Sequence, residues 1–114
     1  MAEGTVRMNS INRDGSPCFY KIILDPDQIE ELRIPSEFVK HIIEETVETT
    51  LIKWLCGKYW NMKLCEDENG MFFHGGWKKF SMEQHLEWGD FLLFQYDGRM
   101  TFYVRIFDKN GLER

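Results

Sequence analysis

The nine residues Phe72-Phe73-His74-Gly75-Gly76-Trp77-Lys78-Lys79-Phe80 constrain the fold more than any other stretch of the chain. Two aromatic β-formers run into a glycine pair, which ends a strand because glycine reaches backbone conformations that other residues avoid. Beyond the pair, Trp77, Phe80 and Gln84 recur at helical spacing. The expected order is therefore strand, break, short helix, with Trp77 as the buried anchor. Leu86 and Trp88 then lead into the turn pair Gly89-Asp90, and Phe91 to Tyr96 reads as a largely buried strand. Asp97-Gly98 reads as a turn, and the run after it alternates: Phe102, Val104 and Ile106 on one face, Thr101, Tyr103, Arg105 and Phe107 on the other.

Upstream, Cys18 to Leu24 reads as a strand, ended at Asp25-Pro26-Asp27 because proline lacks a donor and aspartate favours turns. Gln28 to Glu31 is expected as a loop or irregular arm. Leu32-Arg33-Ile34 is a short extended piece, since the residue before a proline is pushed out of helical geometry, and a helix starts no earlier than Pro35. Phe38, Val39, Ile42 and Ile43 fall on one face of that helix. Val47 to Leu55, rich in β-branched residues, reads as a strand turned at Cys56-Gly57-Lys58 into the alternating set Trp60, Met62 and Leu64. A second turn, Glu66 to Gly70, closes on Asn69-Gly70. Seven short strands with two short helices point by spacing alone to a small, mostly antiparallel barrel or sandwich.

At 114 residues, 43% apolar and 15% aromatic, such a chain makes one domain. It buries roughly two-thirds of its unfolded surface, so neither a disulfide nor a metal is needed to hold it. Residues 1–16 carry only isolated apolar side chains and are expected as a flexible leader, with the folded domain at 17–109 and a short tail at 110–114. The three cysteines, Cys18, Cys56 and Cys65, are odd in number and lack C-x-x-C spacing, which favours reduced thiols in an intracellular compartment. No apolar run approaches about 18 residues and no charged-then-apolar leader appears, so neither a transmembrane helix nor a signal peptide is expected.

The residues do not assemble a catalyst. His41, His74 and His85 lack metal-ligand spacing, and no nucleophile elbow, P-loop or dinucleotide fingerprint is present. The carboxylates gather in turns, Asp25, Asp27, Glu30 and Glu31 in one and Glu66, Asp67 and Glu68 in the other, where solvation outweighs the burial that acid catalysis requires. No enzyme activity, cofactor or small-molecule substrate is expected. The tryptophans admit a base-stacking surface, yet Trp60 and Trp77 sit in phase with apolar neighbours and read first as core. The formal charge of −5 disfavours long-range attraction to nucleic acid, while leaving room for a local basic face.

Phe19-x-Lys21-x-Ile23, Leu32-Arg33-Ile34-Pro35-x-x-Phe38, Gly57-x-x-Trp60, Gly76-Trp77-x-x-Phe80, Leu86-x-x-Gly89-Asp90, Phe94 and Phe102-x-Val104-x-Ile106-Phe107-Asp108 together resemble the plant B3 DNA-binding domain, in particular its reproductive-meristem and vernalization subfamily. The resemblance runs from about Pro17 to Asp108. It implies a seven-stranded open antiparallel pseudobarrel with two short helices, acting in the nucleus as the DNA-binding module of a transcriptional regulator. It also implies two loop arms that grip the major groove of double-stranded DNA, with other transcriptional regulators as further partners. The amino-terminal arm matches Lys21 to Arg33 and the carboxy-terminal arm Asn61 to His74. The DNA-contacting residues carried over are Lys21, Arg33, Asn61, Lys63, Asn69, His74, Lys78 and Lys79, as phosphate contacts or donors to base edges. Both arms depart from the family pattern in being acidic. A carboxylate about 6 Å from a phosphate through water is repelled by roughly 0.7 kcal/mol, so the expected binding is weak or of limited sequence preference. A B3-like protein-interaction module that has lost DNA binding is the alternative.

Overall fold

The computed structural model describes residues 16–40, 42, 49–54 and 57–114. Among the described residues seven strands and two short α-helices follow one another: β1 (Cys18–Ile22), β2 (Leu32–Arg33), α1 (Ser36–Val39), β3 (Thr49–Lys53), β4 (Tyr59–Asp67), β5 (Gly70–Phe73), α2 (Trp77–Glu83), β6 (Phe91–Gly98) and β7 (Thr101–Phe107). A 3-10 turn, Pro26–Ile29, lies between β1 and β2. The sheet order is β1-β6-β7-β3-β4-β5-β2, with β1 and β2 as its two edges. The result is a curled, open half-barrel, as the resemblance implied. All neighbouring strands run antiparallel except β3 and β7, which are parallel.

Strand β4 makes the curl possible by serving two partners. Tyr59 to Lys63 pair with β3, whereas Leu64 to Asp67 pair with β5. At the changeover the Lys63 N–H donates to the Gly75 carbonyl at 2.7 Å, and the Lys63 carbonyl accepts from the His74 N–H at 2.9 Å. Alternation along the strands sends Trp60, Met62 and Leu64 of β4, and Phe102, Val104 and Ile106 of β7, into the core. There Phe19 and Phe94 stack with centroids 4.8 Å apart, and Phe38 from α1 meets Phe19 edge-on at 4.7 Å.

Several local readings change. The β6–β7 connection is made not by Asp97-Gly98, which lie within β6, but by Arg99 and Met100, both with φ of 56°. Gly98 spends its positive φ on a register shift in the ladder instead. Met100 tolerates the turn because it is tied down. Its side chain is buried, its carbonyl accepts from the Leu51 N–H and the Thr50 hydroxyl, and its N–H donates to the Tyr96 hydroxyl. The second hairpin turns one residue early, on Glu68 and Asn69, with Gly70 already in β5. On α2 the third buried residue is Ser81 rather than Gln84. The first helix is a single turn begun after Pro35, with Phe38 buried and Ile42 buried just beyond it. Ile43, Val47, Leu55, Cys56, His41 and all but the last residue of the expected leader lie outside the described residues.

Asp90, read from sequence as a turn residue, is a buried carboxylate that organises the chain end. It accepts from the Glu87 N–H at 2.8 Å and from Arg114 Nη2 at 2.7 Å. Arg114 also donates to Asp108 at 2.7 Å and to the Gln84 carbonyl. A buried charge is tolerated when paired and hydrogen-bonded, and these contacts supply both.

Candidate nucleic-acid interface

The amino-terminal arm leaves β1 at Ile22 and is shaped chiefly by Gln28. Asp25 caps the 3-10 turn by accepting from the Asp27 N–H at 2.9 Å, while the Gln28 Oε1 accepts from the Leu24 and Asp25 N–H groups at 2.7 and 2.8 Å. Gln28 Nε2 donates back to the Ile22 carbonyl at 3.1 Å. The Asp25-x-x-Gln28 spacing is a capping-box pattern, the signal by which sequence reasoning could have found this turn. Helix α2 then fastens the arm from beneath. The Trp77 indole N–H donates to the Gln28 carbonyl at 2.6 Å, and the Ser81 hydroxyl lies 3.1 Å from the Ile29 carbonyl. The root is pinned as well, through Ile23 N–H to Asp90 O and Gly89 N–H to Ile23 O.

The carboxy-terminal arm is the β4–β5 hairpin, and β2 lies directly against it. Leu32 faces Phe73, Arg33 faces Phe72, and the Ile34 N–H donates to the Met71 carbonyl at 2.9 Å. The two arms are thus hydrogen-bonded to each other along one edge of the sheet. Across this seam Arg33 makes a two-pronged contact with Asp67, Nη1 to Oδ1 at 2.9 Å and Nη2 to Oδ2 at 2.5 Å. Its guanidinium also lies over the Phe72 ring, 4.5 Å from the centroid, and 3.6 Å from Glu31.

The hydrogen bonds from Arg33 hold the Asp67 carboxyl at about 2, below its ordinary 3.8, and the same contact raises the pKa of Arg33. A depressed carboxylate pKa contributes stability that is present above the unfolded value and lost as pH falls through the folded one. The stability contributed by the Arg33–Asp67 contact is therefore expected to be fully present above about pH 4 and to be lost as pH falls through about 2, where the native Asp67 carboxyl is half-protonated. Carbon-detected NMR titration of the Asp67 carboxyl should show a midpoint of about 2 in the native chain and a higher one, nearer the ordinary value, in Arg33→Ala.

The expected contact residues fall into different settings. Lys21 shares the inner face with Phe19, opposite Leu92, and is half-buried; burial and then the Arg33 charge lower its pKa. Lys78 is exposed on α2 but pairs with Glu30 at 3.3 Å. Asn61 and Lys63 point outward from β4, the Lys63 stem lying against Gly75, and His74 is exposed where β5 ends. Asn69 sits at the hairpin tip, its N–H donating to Asp67 at 2.8 Å, and Lys79 is exposed on the first turn of α2. The roles of Gln28, Ser81 and Asp67 in joining the arms were not among the sequence expectations.

The model of the B3 DNA binding domain matches residues 19–110. The chain belongs to the B3 DNA-binding domain family. Among its relatives, the B3 domain-containing protein REM20 of Arabidopsis thaliana is 35% identical over 95 residues, covering 83% of this chain and 33% of REM20. The chain spans about a quarter to a third of the length of the curated relatives it matches. The solved structure of the Arabidopsis thaliana protein At1g16640.1 is similar at 27% identity with a TM-score of 0.75, covering 89% of this chain and 99% of that one. The fold also resembles that in the Arabidopsis FUS3–DNA complex, at 15% identity and a TM-score of 0.53, over 75% of this chain and 92% of that one. In this B3 domain the scaffold of glycine break, Trp77 helix and hairpins carries two arms rich in carboxylates.

Proposed function

We propose that this B3 domain is the DNA-binding module of a nuclear plant transcriptional regulator, without catalytic activity, that sets its two arms against the major groove of duplex DNA with modest affinity and limited sequence preference. The observation that carries the reading is the pair of arms, joined by β2–β5 hydrogen bonds and backed by α2, in a member of a DNA-binding family. The FUS3–DNA complex, which shares the fold, supports it. Lys79, exposed, and Lys78 beside it, paired with Glu30, are the cations offered to phosphate; Arg33, Asn61, Lys63, Asn69 and His74 are the donors offered to base edges or the backbone. Lys21, half-buried, adds positive charge at the inner side of the arm root.

A second reading, a protein-interaction module that no longer binds DNA, is favoured by one observation: Arg33 and Lys78 are both paired with arm carboxylates. Titration against random-sequence duplex DNA at two salt concentrations separates the two. Each phosphate contact adds about 0.9 to the slope of log affinity against log salt, so three or four contacts give a slope of about −3 to −4. Replacing Lys78 and Lys79 by alanine should weaken binding to all sequences alike, whereas changes at Arg33, Lys63 or Asn69 should alter preference between sequences. Reversing Glu66 and Glu68 to lysine should tighten binding several-fold at low salt. No binding at about 50 mM salt, before or after that reversal, would replace DNA recognition with the interaction module.

A further inference from the structure

We propose that Asp67 is an internal competitor for DNA: it occupies the two-pronged face of Arg33, and the arms rest in a clasped state that DNA must exchange in order to use that arginine. This rests on the DNA-binding reading above and deepens it by naming the residue that limits affinity.

The geometry distinguishes a clasp from a support. Guanidinium recognises phosphate or guanine through two parallel N–H groups, and a carboxylate presents the same pair of acceptors. A carboxylate that steadied Arg33 for DNA would bind side-on, through Nε and one terminal nitrogen, and leave the end-on pair facing outward. Asp67 does the reverse, taking Nη1 and Nη2 at 2.9 and 2.5 Å, while Glu31 stands 3.6 Å from Nη2. One face of the guanidinium is covered by Phe72. Asp67 is itself held in place, because its Oδ1 accepts the Asn69 N–H at the hairpin turn. The contact spans 34 residues of sequence and adds a side-chain link to arms that β2–β5 pairing already holds together, so releasing Arg33 to DNA need not part them.

Both groups are a little over one-third exposed, which makes the clasp weak enough for a polyanion to displace. A thermodynamic cycle isolates it. Removing any arm carboxylate favours DNA through charge alone, and Glu68→Gln measures that effect. Asp67→Asn should tighten binding of a random-sequence duplex about fivefold at about 100 mM salt, against about twofold or less for Glu68→Gln. In an Arg33→Ala background, Asp67→Asn should fall to the Glu68→Gln effect. Asp67→Ala repeats the comparison with no side-chain oxygen left to hold Arg33. In the native chain, adding DNA should move the Asp67 carboxyl carbon resonance toward its position in Arg33→Ala.

Equal effects of Asp67→Asn and Glu68→Gln in both backgrounds would overturn the clasp and leave DNA binding standing. Weakened binding by Asp67→Asn would make Asp67 a support, with the same consequence. Absence of DNA binding in every variant, the Glu66 and Glu68 reversal included, would instead overturn the DNA-binding reading and the clasp with it.

Discussion

Replacing Trp77 by alanine is expected to destabilise the domain by about 3–5 kcal/mol, a large share of the total stability of a small domain. Trp77 is fully buried, with Phe73, Phe80 and Phe94 rings at 6.0, 5.1 and 6.2 Å from its own. Its removal leaves a cavity bounded by strands from both parts of the sheet, which cannot collapse without moving β5 or β6. It also strands the Gln28 carbonyl, which now receives the indole N–H. Trp77→Phe separates the two losses: most of the apolar contact survives, the hydrogen bond does not, and about 1–2 kcal/mol should be lost. Backbone amides of the amino-terminal arm should exchange faster in both variants. An unchanged denaturation midpoint in Trp77→Ala would show that this side chain does not anchor the core.

The anchor was legible in the sequence because it depends on local spacing. Trp77 and Phe80 lie on one helical face after a glycine pair, and the strands announce their inner faces by alternation, as Phe102, Val104 and Ile106 do. What escaped depends on which distant segments meet. Arg33 was readable as a donor offered to DNA or as the partner of a neighbouring glutamate, and Glu31 does stand 3.6 Å away, but its capture by Asp67 requires β2 to pair with β5, a register that neither segment specifies alone. Asp90 looked like a turn residue because Gly89 precedes it; its pairing with Arg114 appears only once the chain end returns beside β7. The misplaced β6–β7 turn has a different cause. Asp97-Gly98 carries a strong turn signal, but burial of Met100 and its bonds to Tyr96 and Thr50 draw the turn two residues on, where local preference would not put it. Tertiary contacts outweighed propensity there.

Gly76→Ala is expected to cost roughly 3 kcal/mol or more and to disturb both arms together. Gly76 precedes α2 with φ of 94°, a conformation that strains any residue bearing a Cβ. Its Cβ would also stand 2.2 Å from the Asn61 carbonyl oxygen, a backbone atom that no rotamer change can move aside. Relief demands that the start of α2 move away from β4. That movement shifts Trp77 and Ser81, which hold Gln28 and Ile29 of one arm, and Gly75, whose carbonyl accepts from Lys63 where the other arm leaves the sheet. Gly111→Ala supplies the control: its φ is 92°, but nothing lies within 4 Å of an added Cβ, so it reports the backbone strain alone, about 1–2 kcal/mol. Denaturant unfolding of the two variants should therefore differ by the cost of the Asn61 contact. Equal midpoints would mean that α2 slides freely on β4, and the helix could not then be what fixes the arms relative to the sheet.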